Sequence, residues 1–217
     1  MTSLVTENFL HARKRVWLIA LMLIAHPAMS PRQSVFHNCG MTGDAKSATA
    51  KALNRLKNRF TPPSGLDTSI TLAAIVAPGD DHSRWTNNQA AEITGYVHDV
   101  MKGGVESCNC HAKDPKYRDT HIELVVDPMD SAETRRVIVE VTPRWRANMK
   151  AGGIDWSTAG LRATLLGRWV KVRGWMMFDI EHATEAENTN PGGAGNWRAT
   201  AWELHPVTAI DVVQRPR

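Results

Sequence analysis

Asp119-Thr120-His121-Ile122-Glu123-Leu124-Val125-Val126 is the stretch from which the fold can be read. Polar and apolar residues alternate and β-branched types are frequent, which predicts a strand with one buried face. Ile122, Leu124 and Val126 point one way, while His121 and Glu123 share the opposite side of the pleat. Ala201-Trp202-Glu203-Leu204-His205 repeats the pattern, with Glu203 and His205 on one face and Trp202 and Leu204 on the other. Arg136 to Thr142 alternates in the same way and carries Glu140 between Val139 and Val141.

Outward from these stretches the chain supplies two more strands and a helix. Ala91 to Met101 reads as a long strand, with Lys102-Gly103-Gly104 as a break or bulge and Val105 to His111 as its continuation. Pro143 closes the strand at Thr142, and Arg144 to Ile154 reads as a loop. Asp155-Trp156-Ser157-Thr158 opens a helix that runs to about Leu166, capped by Asp155 or Ser157, and Gly167 ends it. Trp169 to Asp179 is the fourth strand. A polar loop from Ile180 to Gly195 follows, and the fifth strand runs from Trp197 to Leu204 and, after a break at Pro206, from Val207 to Val213. Ahead of the strands, Asp44 to Phe60 predicts an amphipathic helix with Asp44 as N-cap and a stripe of Ala45, Ala48, Ala52, Leu56 and Phe60. Ser69 to Val76 is an apolar run that suits a strand or a buried linker.

The order strand, strand, strand, helix, strand, strand resembles the oligonucleotide/oligosaccharide-binding (OB) barrel at the level of architecture. The fold class expected is therefore α+β, mainly β: a five-stranded OB-like barrel with a helix between strands three and four, over residues 89–217. Residues 31–88 form an N-terminal extension with one helix, and residues 1–30 a leader. Gly174-Trp175-Met176-Met177-Phe178-Asp179 and Trp202 to Thr208 resemble segments of exported bacterial proteins of unassigned function.

Composition narrows the function. The chain has 217 residues, a net charge of +4, eight Trp and three Cys. Basic residues are scattered, and the lack of a long basic stripe argues against tight, non-specific nucleic-acid binding. His11 to Arg15 is a basic segment followed by an apolar run from Val16 to Ala25. That run is shorter than the roughly 20 residues of a membrane-spanning helix, and it matches an export signal or a retained N-terminal anchor. A periplasmic or extracellular location follows, with membrane contact only through an uncleaved leader. In that setting Cys39 is expected to bridge to Cys108 or Cys110; a metal site using Cys108 and Cys110 is the rival.

Three functions are consistent with the residues. The first is a binding domain for a polar or polyanionic ligand, an oligonucleotide or glycan, on the outer face of strands one to three. Arg144, Trp145, Arg146, Trp197 and Arg198 would stack bases or pair anions. The second is a metal-dependent hydrolase, phosphodiesterase-like, with His121, Glu123, Glu140, Glu203 and His205 as ligands or acid/base groups. Such a set suits zinc, iron or manganese, with Asp119 orienting a ligand. The third is a non-catalytic envelope module, in which the same His and Glu side chains merely pair across strands or with Arg136, Arg144 and Arg198. Two turns carry weaker signals: Asp179 to His182, and Asp80-Asp81-His82 beside Trp85.

Overall fold

The computed structural model describes residues 35–216, and the leader expected over residues 1–30 lies outside them. Among the described residues no helix is long and apolar enough to cross a membrane. The architecture is a closed five-stranded barrel carrying an N-terminal extension. The extension begins with a two-stranded ribbon, β1 (Val35–Phe36) and β2 (Cys39–Gly40), followed by helices α1 (Ala48–Lys57) and α2 (Leu72–Val76). The barrel strands are β3 (Ala90–Lys102), β4 (Thr120–Val125), β5 (Val137–Val141), β6 (Trp169–Phe178) and β7 (Trp202–Val213). They close in the order β3-β4-β5-β7-β6, antiparallel throughout except where β5 runs parallel to β7. Helices α3 (Pro143–Ala151) and α4 (Thr158–Leu165) lie between β5 and β6.

Alternation places the core as expected. Ile122, Leu124, Val139, Val141, Val172, Trp202 and Leu204 are buried in one cluster inside the barrel, and α2 adds Leu72, Ile75 and Val76 to it. Strand β3 pairs first with β6 and then with β4, turning between its two partners at Tyr96. Gly95 sits at that turn, close beneath α2, where a Cβ would lie 2.6 Å from Leu72 Cδ2 and 3.2 Å from Leu124 Cβ. The register shifts again between Val97 and Asp99. The bend therefore lies inside β3, and Gly103 falls just past its end rather than at a mid-strand break.

Several local expectations are corrected. Helix α1 starts at Ala48 with Ser47, whose hydroxyl accepts from Ala50 N, as its N-cap. Asp44 is held out of the helix because its own N–H donates to Ser107 O and its carboxylate meets His111. The face α1 buries is Leu53, Asn54 and Lys57, not the alanine stripe. An apolar stripe would need an apolar surface beneath it, and α1 lies over the polar outer side of the barrel. Ser69 to Val76 is mostly helix, because Thr71 caps it by accepting from Ala74 N. A helix replaces the loop expected from Arg144: Thr142 accepts from Trp145 N, and Pro143 occupies the first turn, where its missing N–H costs nothing. Val105 to His111 is a loop holding one 3-10 turn, Ser107–Asn109, with Cys110 and His111 at positive φ. The fifth barrel strand starts at Trp202 and runs through Pro206, whose peptide bond with His205 is cis. Pro206 is accommodated where the register against Gly174 shifts.

The extension is fastened to the barrel covalently. Cys39 and Cys110 form a disulfide, one of the two pairings expected, and Cys108 is a buried free thiol. Asp81 does more than shape the turn expected at Asp80-Asp81-His82. It is fully buried, accepts from Thr200 Oγ1 at 2.6 Å and Ala201 N at 3.2 Å, and offers its carbonyl to Trp202 Nε1.

Candidate functional site: a covered charge network and a cationic cleft

Three adjacent strands set the first site. His121 on β4 faces Glu140 on β5, and β7 runs beside β5 with Val139 opposite Leu204. The residues flanking Leu204, Glu203 and His205, thus come up on the other side of Glu140. Glu140 lies between two imidazoles: Oε1 is 2.9 Å from His121 Nε2, and Oε2 is 3.4 Å from His205 Nδ1. His205 Nδ1 is also 3.2 Å from Glu203 Oε2, and Glu203 Oε1 is 2.7 Å from Arg198. Four of the five expected His and Glu residues converge. Glu123, one pleat further along β4 and opposite Ile138, instead faces Arg136 at 3.2 Å.

This row lies on the outside of the barrel wall, yet it is buried, because the chain folds over it. Helix α1 brings Lys57, the loop before β4 brings Glu106, Cys108 and Asp119, and the segment after β6 brings Asp179 and Arg198. Lys57 Nζ lies 2.6 Å from Glu106, 2.9 Å from Asp179 and 3.2 Å from Glu181. Asp119 accepts from Asn109 Nδ2 at 2.9 Å, and its Oδ2 is 3.9 Å from His205 Nε2. Asp119, Glu140, Glu203 and His205 are buried, while the side chains of His121 and Glu106 keep 12 % and 17 % of their exposure. Gly103 passes over His121 so closely that a Cβ would come within 2.9 Å of Nε2.

Five carboxylates (Glu106, Asp119, Glu140, Asp179 and Glu203) share this enclosure with two permanent cations, Lys57 and Arg198. Burial depresses the imidazoles, but the carboxylates, Glu140 first, outweigh it and raise both His121 and His205 to about 9. Burial raises Asp119 to about 6, opposed by His205. Glu203 is driven below the ordinary carboxylate range, because Arg198 and His205 overcome its desolvation. Burial also works against the charge on Lys57, but Asp179 and Glu106 hold it protonated. The Cys108 thiol is pushed up by burial and by its neighbours Asp119 and Glu106.

Not every polar atom here is satisfied. Asp119 Oδ1, Glu140 Oε2 and His205 Nε2 are buried without a hydrogen-bond partner. Unpaired buried polar atoms are uncommon in native proteins, and each calls for an explanation. Asp119, Glu140 and His205 can each point one donor atom so that all three lie within 4.8 Å of one another.

The second site is a cleft of about 570 Å³ between α3, the 153–157 loop and the turn at Lys116-Tyr117. Phe36, Lys116, Tyr117, Arg146, Lys150 and Trp156 are among its walls. Arg146 ties the walls together, donating to the carbonyls of Trp156, Lys116 and Arg118 and to Thr120 Oγ1. These acceptors are neutral, and the carboxylates that act on the guanidinium are Asp119 and Asp155. Lys116 is shared with Asp114 at 2.9 Å and lies over the Tyr117 ring.

The other aromatic and guanidinium residues expected to bind ligand do other work. Arg144 is buried and donates to Asn58 Oδ1 and the Cys39 carbonyl, clamping the extension. Trp145 is in the core and donates to the Arg59 carbonyl. Trp197 donates to Glu185, and Arg198 is sealed against Glu203 and under Trp197. The weaker signal at Asp179 to His182 divides: Asp179 joins the network, while His182 pairs with Glu185 at 2.8 Å. Glu106 and Lys57 were not anticipated as site residues. Neither sits in a periodic strand, so no pattern pointed to them.

Fold and site together define a closed five-stranded barrel of OB-like architecture whose outer wall carries a covered His/carboxylate network. Compared with known families and with curated proteins, the chain matches no family model and no curated protein.

Proposed function

We propose that the protein binds a polar, anionic ligand in the cleft at α3, and that it does so outside the cytoplasm. The observation that carries this reading is the cleft itself. Its volume lies within the range of ordinary ligand pockets, and Arg146 and Lys150 face Asp155 together with aromatic and apolar walls. A phosphate- or carboxylate-bearing oligomer, nucleic acid or glycan, suits that lining. The extracytoplasmic location is supported by the Cys39–Cys110 disulfide.

Reversing two exposed charges tests the reading without touching the Arg146 clamp. A Lys116→Glu, Lys150→Glu variant should keep its stability within about 0.5 kcal/mol, as surface changes do. It should bind a short single-stranded DNA or an oligogalacturonate at least tenfold more weakly than the unaltered protein, measured calorimetrically at low salt. Equal binding by both proteins, or none by either, would refute the cleft as the site.

A metal-dependent hydrolase is the second reading, favoured by the convergence of His121 and His205 on Glu140 and by the partial exposure of Glu106 and His121. It expects turnover of bis(p-nitrophenyl) phosphate or p-nitrophenyl acetate in the presence of zinc or manganese, abolished by His205→Asn. Product release at the uncatalysed rate would remove it.

A further inference from the structure

We infer that Asp119, Glu140 and His205 form a binding site for one divalent transition-metal ion, with Glu203 and His121 as positioning residues. The inference concerns the ion alone and holds whether or not hydrolysis follows.

The first argument is the orphaned atoms. Asp119 Oδ1, Glu140 Oε2 and His205 Nε2 are among the buried atoms of the enclosure that lack a hydrogen bond, and they belong to three buried residues. One donor from each of these residues lies within 4.8 Å of the others, so a single ion can draw on all three residues. The second argument is the arrangement behind the imidazole. His205 Nδ1 is 3.2 Å from Glu203 Oε2, and Arg198 holds Glu203 from the far side. With Nδ1 donating to Glu203, an ion that displaces the Nε2 proton meets the Nε2 lone pair on the side of Asp119. A carboxylate behind an imidazole is the usual way of fixing the tautomer and orientation of a metal-ligating histidine. His121 does the same service for Glu140, engaging Oε1 at 2.9 Å and leaving Oε2 toward His205.

The third argument is charge. Five carboxylates face two permanent cations and two imidazoles, so with both imidazoles protonated the enclosure keeps one negative charge, which a divalent ion taking the place of the His205 proton cancels. Donors around a zinc or manganese ion with bonds of about 2.0–2.2 Å stand roughly 3–4.4 Å apart. Atoms within 4.8 Å of one another therefore need only a small contraction. One nitrogen and two carboxylate oxygens suit zinc, manganese or iron better than calcium or magnesium.

Of the two other triads, that of Glu106, Cys108 and Asp119 shares Asp119 with this site, and that of Glu106, His121 and Glu140 also has donors close together. Glu106 is already ion-paired to Lys57 at 2.6 Å, and His121 to Glu140. An ion there would have to break both.

The test uses the full chain, stripped with chelator and then given zinc or manganese chloride. After gel filtration, elemental analysis should find close to one ion per chain in the unaltered protein and in a Glu123→Gln control. Asp119→Asn, which keeps the shape and the Asn109 contact, should weaken binding by at least tenfold while its circular dichroism stays native. Manganese-loaded wild-type protein should show coupling to the nitrogen of a single imidazole in pulsed electron paramagnetic resonance. That spectrum decides the matter even if the variant does not fold. No retained ion, retention unchanged in a folded Asp119→Asn, or a manganese signal without nitrogen coupling would each overturn the site.

Discussion

An Arg198→Met variant should lose about 3–5 kcal/mol of folding stability, the cost of leaving one member of a buried ion pair without its partner. Arg198 is fully buried, and its Nη1 is 2.7 Å from Glu203 Oε1, a carboxylate that is also fully buried. Methionine replaces the bulk of the stem but supplies no charge, so Glu203 would be left to His205 alone on that side. Glu203 would then take up a proton or admit water, and either response costs stability. A Glu203→Gln change in the same chain removes the stranded charge and keeps an acceptor for His205 Nδ1. The double variant should therefore recover a large part of the loss, giving a coupling energy of about 1–3 kcal/mol in the double-mutant cycle. Urea unfolding followed by tryptophan fluorescence reads both quantities. A single variant within about 1 kcal/mol of the parent would mean that the pair is solvated.

The second large effect is alkaline destabilisation of the metal-free protein. His121 and His205 rise from an ordinary value near 6.5 to about 9, because Glu140 and the neighbouring Glu203, Glu106 and Asp119 outweigh the cost of burial. A histidine with a raised folded-state pKa binds its proton more tightly folded than unfolded. Its contribution is complete below about pH 6.5 and lost as pH climbs through about 9. Each imidazole accounts for about 3 kcal/mol, and because both act through Glu140, the joint loss is less than twice that. Asp119 has the same sign in a lower window: its carboxyl, raised to about 6, costs stability as pH rises from the ordinary carboxylate range to that point. Cys108, raised by burial, adds to the alkaline loss. Unfolding in the presence of chelator should thus fall by several kcal/mol between pH 7 and pH 10, and His121→Gln should flatten much of that slope. A stability curve level to within about 1 kcal/mol over that range would contradict the protonated network.

Much of the barrel was readable because period-two alternation is a local signal. Ile122, Leu124, Val139, Val141, Trp202 and Leu204 declare which face of each strand goes inward. The same alternation placed His121, Glu140, Glu203 and His205 outward, and the element order made their strands neighbours. Helix caps were legible only in part: of Asp155 and Ser157 it is Ser157 that caps, and Ser47 takes the place expected of Asp44.

What the sequence by itself determined, then, is the strand set, the helix between the third and fourth barrel strands, the choice of Cys39 as one end of the disulfide, and four members of the His/carboxylate row. Only the tertiary structure decided that the row is enclosed. Lys57, Glu106, Asp119, Asp179 and Arg198 come from a helix and from segments that flank the strands, and no residue spacing encodes how those segments lie. The reason is physical: strand faces follow from covalent geometry repeated every two residues, whereas a lid over a sheet follows from charge pairing between residues more than a hundred positions apart, such as Lys57 and Asp179. That covering turns a solvated sheet face into a low-dielectric enclosure, where the same side chains acquire shifted protonation and unpaired donors.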